Sequence, residues 1–407
     1  MAWMLGFSSV LGRFLESKLG PLHISLALGV LFGIFGWWQG VQHPILRRYL
    51  RWAVPFVVIG AIGLLATDIR NELNEPIRAS FNDSGAKLLW FLLVPGIAVL
   101  MQRPQLFRAL VRGMVIGATV YLLAALQKAM QGHPALNHSE ELLKTHRNIV
   151  DMIVVGLVPA VLSARFFEWR KLTRYAYVAG TTAWLISSSG RAGMLALILS
   201  PIVLFMLKPS KSGKPVGPRI AVAAALGFLM FNVLANVTIS WLPAASRLSQ
   251  STSGDRTDSD EIRILLLKKA YTLTWKHPAF GIGVGNFPGS YDPIVEKAKN
   301  DHVRQQALEL QAHNTYVELM ASTGFLGILF FMGMLIAPLA AAMKYCKYQD
   351  VRAIAAVYCI VLFVITFHTS LDTRLFIPMA LTLAMAVKAA TAEANGVDLD
   401  AVQNLGE

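Results

Sequence analysis

Residues 310–338 read LQAHNTYVELMASTGFLGILFFMGMLIAP. Four polar or ionisable side chains, His313, Asn314, Tyr316 and Glu318, lead straight into an apolar run. That run is long enough for a helix to cross the hydrocarbon core of a bilayer, which takes about 20 residues. Comparable runs recur on both sides, at 21–42, 52–69, 85–101, 107–130, 149–166, 173–189, 191–207, 219–242, 351–368 and 371–391. The first twenty residues can supply one further short span. Only 15% of the residues are charged, against roughly a quarter in soluble proteins. The expected fold is an all-α polytopic membrane protein with about twelve transmembrane helices, eleven being the alternative.

The connections sort by charge. HPILRRYLR (43–51), QRPQLFR (102–108), RFFEWRKLTR (165–174), KPSKSGKPVGPR (208–219) and KYCKYQDVR (344–352) are short, basic and poor in acid. Such loops face the cytoplasm. The net charge of +13 is thereby assigned to membrane topology, and nucleic acid is not an expected partner. The remaining connections, 70–84, 131–148, 188–192, 243–312 and 369–374, then face outward. The chain divides into an N-terminal transmembrane bundle (1–242), a large outward-facing loop (243–312), which the resemblance given below makes periplasmic, C-terminal transmembrane helices (313–391) and a cytoplasmic tail (392–407). Cys346 and Cys359 form neither a CxxC nor a metal-ligand pattern, so no disulfide framework is expected.

Loops as long as 243–312 inside a compact fold are usually functional. Asp258, with Glu261 three residues on, is placed to cap a helix. That helix, EIRILLLKKAYTLTW, is expected at the membrane surface, with Lys268 and Lys269 away from its apolar face. HPAFGIGVGNF (277–287) follows, a run of turn residues that lets the backbone pass close to something. A second helix is expected from near Pro293 to His313.

Several outward-facing cations are not explained by the positive-inside rule: Arg70, Lys87, His146, Arg147, Arg191, Arg263 and Arg374. Any one of them can pair locally or reach the headgroups. Arg191 is harder to dismiss, because it sits in a tight connection, SSSGRAG, between two apolar spans. Cations gathered at the mouths of helices suit a lipid-borne pyrophosphate, and the planar guanidinium fork matches phosphate oxygens. His313, opening a span at the same face, is a candidate general base, since a neutral imidazole can accept a proton near pH 7. It is expected on the helix, sharing a face with Tyr316. No HxxxH, HExxH, Walker or nucleophile-elbow motif occurs, so no metal and no cofactor is expected.

In order along the loop stand Arg263, then HPAFGIGVGNF, then HNTYVELMASTGFLG (313–327). This set resembles the O-antigen ligase and polymerase superfamily of bacterial envelopes, whose pattern is an Arg-led helix, a Pro-x-x-Gly-x-Gly turn and a His–Asn opening of the next span. One departure is visible: many relatives have Trp four residues after the loop Arg, where this chain has Leu267. The resemblance implies a type C, membrane-embedded, metal-independent glycosyltransferase of the bacterial inner membrane, with its active site towards the periplasm. Its donor would be undecaprenyl-diphosphate-linked O-antigen and its acceptor lipid A-core oligosaccharide, with membrane lipids around it. By match to the pattern, His313 is the expected catalytic histidine, and Arg191 and Arg263 are the arginines expected near the pyrophosphate. Arg70, Lys87, His146, Arg147 and Arg374 would hold phosphates. Asn314 and Tyr316 would orient the imidazole or a sugar.

Two alternatives stand beside a ligase. A polymerase would use the same donor and extend a carrier-linked unit. A lipid-linked glycan flippase would show broken helices with polar residues at mid-membrane in both halves, whereas the polar groups here gather at one face.

Overall fold

The computed structural model describes residues 1–19, 24–70, 86–130, 154–163, 171–188, 191–208, 258–366 except 289 and 291, and 373–399 except 398. The expected span at 219–242, the pair His146 and Arg147, and the end of the tail lie outside the described residues. All regular elements among the described residues are helical. In chain order they are α1 (Ala2–Leu19), α2 (Ile24–Trp38), α3 (Pro44–Arg70), α4 (Ala86–Met101), α5 (Pro104–Met130), α6 (Val158–Ser163), α7 (Lys171–Ser188), α8 (Arg191–Met206), α9 (Asp258–Lys276), α10 (Asp301–Glu309), α11 (Thr315–Met343), α12 (Gln349–Val364) and α13 (Thr373–Ala394). Among the described residues three segments are long and apolar enough to cross a membrane: Pro104–Ala124, Thr315–Met343 and Arg374–Ala394. Shorter apolar helices include Ala27–Trp38, Leu88–Met101 and Gly193–Met206. The chain is a helical membrane protein.

Named contacts fix the direction of the helices. On α3, Gly63 lies against Ser322, while Trp52 lies against Gly333, so α3 and α11 run antiparallel. Gly60 faces Leu88 near the start of α4, and Phe376 near the start of α13 stacks on Trp90 at 5.4 Å. Phe91 meets Phe56, Phe331 and Phe376 edge to face, a geometry aromatic quadrupoles favour, and joins four helices. Without water to squeeze out between apolar helices, close backbone approach does much of the binding. Gly36 and Gly96 meet in this way: a Cβ on Gly36 would lie 1.8 Å from the Gly96 carbonyl oxygen. The residues read as a possible short span form α1, which packs along α5.

One end of the bundle therefore collects the C-terminus of α3 and the N-termini of α4, α11 and α13. Gly156, just before α6, faces Val361 near the end of α12, at this same end. The opposite end carries Arg47, Arg48, Arg103, Lys171, Lys344 and Lys347.

Candidate functional site

The site is built by the loop and by the opening of α11. Helix α9 buries Ile262, Leu265, Leu266, Ala270 and Leu273 against Phe287, Val295, Val303, Ala307, Ala312 and Ala321. This is a small core of its own, and it holds Arg263, half-buried on α9, on the same packed unit as the chain at 312–321. Lys269 is at its centre. The sequence pattern put Lys269 on the outer face with Lys268; the structure leaves Lys268 exposed and Lys269 wholly buried. Its Nζ donates to the carbonyls of Phe287 at 3.0 Å and Ala307 at 3.3 Å, and lies 4.7 Å from the centre of the Phe287 ring. A single apolar face at helical spacing cannot signal a lysine used as a cross-link between two loop carbonyls. Burial pushes the Lys269 ammonium down to about 8, against the opposing pull of the Asp292 and Glu318 carboxylates.

The second loop helix differs from expectation. Instead of running from Pro293 to His313, the chain makes a short 3₁₀ turn at Pro293–Lys297 and then α10, which ends at Glu309. Asp292 caps the turn through Ile294 N–H at 2.9 Å and pairs with Lys276 at 2.8 Å. Asn300 caps α10 through Val303 N–H at 2.8 Å. Two caps so close together stop a continuous helix. Glu261 accepts from the Lys299 N–H at 3.0 Å, tying α9 to this segment.

The turn-rich stretch 277–287 passes close to a break in α11. The helix departs from helical geometry at Gly324, with φ 67° and ψ −171°. Breaking a helix frees carbonyls before the break and N–H groups after it. The loop satisfies them: Ile282 N–H donates to Ala321 O at 3.0 Å, Gly283 N–H to Ser322 O at 2.9 Å, and Phe325 N–H to Pro278 O at 2.8 Å. Such close docking leaves no room for side chains. A Cβ on Gly281 would lie 2.2 Å from the Ser322 carbonyl carbon, and one on Gly324 would lie 2.5 Å from Ala279 O. Both glycines also have positive φ. Beyond the break, residues 325–343 alone are about 28 Å long as a helix, close to the thickness of a hydrocarbon core.

His313 is the correction that matters most. It was expected on the first turn of the helix beside Tyr316. The helix starts at Thr315, Asn314 is its N-cap, and His313 lies outside with φ 52°. Among the described residues it alone, apart from glycines, has positive φ. Left-handed backbone at a residue with a Cβ costs about 1–3 kcal/mol and persists only where the surroundings impose it. They do so on both sides. Ala312 N–H donates to the Glu318 carboxylate at 2.8 Å. Asn314 Oδ1 accepts from Val317 N–H at 3.1 Å, and Thr315 N–H donates to Ile365 O, past the end of α12, at 3.0 Å. Tyr316 Oη donates to Leu362 O at 3.0 Å. Asn314 and Tyr316, expected to orient the imidazole or a sugar, have oxygens engaged in holding the backbone.

The other expected residues fall as follows. Arg70 closes α3, Lys87 is second in α4 and Arg374 is second in α13, all at the end of the bundle where α11 opens. Arg374 is buried, 6% exposed. Arg191 opens α8 directly after α7 ends at Ser188. The side chains of Arg70, Lys87 and Arg191 lie outside the described residues. The acidic Glu318, 7% exposed, was not singled out as a site residue, though its spacing of five from a histidine at a helix start was visible.

A family model described as O-antigen ligase matches residues 176–332. The match takes in Arg191, Arg263, the docked turn at 278–283, His313 and the break at Gly324. No curated protein matches the chain.

Proposed function

From an O-antigen ligase family domain at 176–332, we propose that the chain is an O-antigen ligase. It would transfer O-antigen polysaccharide from undecaprenyl diphosphate to lipid A-core oligosaccharide at the periplasmic face of the inner membrane. The observation that carries this reading is the docking of the 278–283 turn onto the break at 322–325. It joins the helix that bears Arg263 to the span that His313 opens, so the motifs of the resemblance form one unit at one end of a membrane bundle. A lipid-linked donor presents its pyrophosphate at that level.

In this mechanism His313 takes the proton of an acceptor sugar hydroxyl. The hydroxyl oxygen forms a bond to the anomeric carbon as the bond from that carbon to the pyrophosphate oxygen breaks, with inversion. The electron pair leaves with undecaprenyl diphosphate. Arg263 and Arg191 offset the charge growing on the leaving group, as preorganised cations do. Arg70, Lys87, His146, Arg147 and Arg374 hold phosphates of donor or acceptor. The reaction needs no metal, and about twelve spans surround the site in the manner of a type C glycosyltransferase. The wish of a flippase for paired broken helices is poorly met by the break at Gly324, which a loop turn closes.

The test mixes purified protein, undecaprenyl-diphosphate-linked O-antigen and lipid A-core in the presence of EDTA, with His313→Ala in parallel. Glycan joined to lipid A-core by the wild type, and only traces by the variant, is the expected result. Chain growth on the carrier with no joining would replace the ligase by a polymerase. Loss of joining with EDTA would remove the metal-independent mechanism.

A further inference from the structure

The general base needs more than the right side chain: an imidazole misplaced by an ångström loses much of its effect. His313 sits in a left-handed backbone conformation that is uncommon for any residue with a Cβ, so its surroundings must hold it there. The bonds around it differ in kind. Asn314 and Thr315 are held by a helix cap and by a neighbouring main-chain carbonyl. Ala312, on the other side, is held by a side chain, the carboxylate of Glu318 at 2.8 Å. That carboxylate comes from the first turn of α11 and reaches back over His313 to the residue before it, closing a loop of chain with the histidine inside. Ala312 and Glu318 are both buried, so water cannot substitute for either partner. The buried Lys269 ammonium senses the Glu318 carboxylate, and Lys269 is itself fixed by Phe287 O and Ala307 O.

The geometry points to Glu318 as a positioning residue for His313, acting through the Ala312 N–H rather than on the substrate. This inference rests on His313 being the general base of the proposed reaction. A plain helix-dipole role for an acid in the first turn would need only the charge. The strut needs an oxygen at the right reach. Three substitutions separate these. Glu318→Gln keeps a carbonyl oxygen at the same reach without the charge. Glu318→Asp keeps the charge but is one methylene too short. Glu318→Ala keeps neither.

Two readouts are taken on full-length protein in nanodiscs. The first is steady-state transfer. Glu318→Ala and Glu318→Asp should lower kcat by about 10- to 100-fold with KM for the lipid-linked donor within about twofold, and Glu318→Gln should restore kcat to within about threefold of wild type. The second is the rate at which diethyl pyrocarbonate modifies His313, followed by peptide mass spectrometry. It should rise several-fold in Glu318→Ala and Glu318→Asp and stay near wild type in Glu318→Gln. Activity in Glu318→Asp with loss in Glu318→Gln would assign the effect to charge and overturn the strut. So would a change confined to KM, or unchanged His313 modification in all three. If Glu318→Ala does not fold, the Gln and Asp pair decides alone. If wild-type protein transfers no glycan, the proposed reaction fails, while the modification rates still test the strut.

Discussion

Two residues with positive φ flank the first turns of α11, His313 just before it and Gly324 within it, and they are there for different reasons. At Gly324 the chain takes φ 67° where a loop turn docks on the broken helix. Glycine suits that position on both counts, since it has no Cβ to strain and none to collide with Ala279 O. At His313 the chain takes φ 52° with a large side chain attached. Packing at the break chose the residue that fits. At the opening of the helix a residue that fits less well is kept, and its neighbours are bonded to hold it. Where strain persists against an available relief, the side chain is what the position needs.

The sharpest way to break this comparison is at His313. Replacing it by glycine relieves the backbone and removes the imidazole. His313→Gly should lose transfer by at least the 10²–10⁴-fold typical of a general base, yet melt at a higher temperature than His313→Ala, by an amount corresponding to about 1 kcal/mol. Equal melting temperatures would mean that the backbone there is not strained.

Gly324→Ala should do the reverse. Its cost comes from stability first, about 2 kcal/mol or more from positive φ and overlap together. Limited proteolysis at 278–287 should accelerate along with it, because the turn can no longer sit down on Ser322. A variant that resists proteolysis like wild type would show that the break tolerates a methyl group.

Lys269→Met should cost about 1–3 kcal/mol, since the carbonyls of Phe287 and Ala307 each lose a donor in a buried place. A smaller effect comes from pH. The folded Lys269 pKa is lowered to about 8 from the ordinary 10.5. Between those values the unfolded chain binds more protons than the folded one, so the lysine's contribution to stability rises with pH across that window. The difference in melting temperature between wild type and Lys269→Met should therefore widen from pH 8 to pH 10, and a constant difference would contradict the buried placement.

Much of this architecture was legible in the sequence, and the reasons for the gaps are specific. Apolar runs announce helices, and the run from Phe325 onwards did so at once. Caps were only half legible. Asn300 and Asn314 are ordinary cap residues, but reading through them produced one long helix to His313 where the structure has two short elements and a bent turn. Lys269 was read from the pattern as facing outward, and Glu318 was given no role. Lys269 is buried against a partner distant in sequence, Ala307, while Glu318 accepts from the backbone N–H of Ala312, six residues before it. HPAFGIGVGNF was legible as a place of close approach, but not what it approached, because the acceptor carbonyls of Ala321 and Ser322 exist only once Gly324 has bent the helix. Of the cations singled out in the sequence, Arg70, Lys87, Arg191 and Arg374 stand at the ends of α3, α4, α8 and α13.

The sealed break also has a meaning for how the protein is made. The turn at 278–283 leaves the ribosome before residues 321–325 do, so it must wait, with its donors unspent, until the following span has been delivered to the membrane. Without the turn α11 would have a gap in its ladder that lipid cannot fill. The loop and the span each lack what the other supplies, and so they mature together. A chain halted after the loop would carry α9 and the turn but not the broken span on which the turn docks.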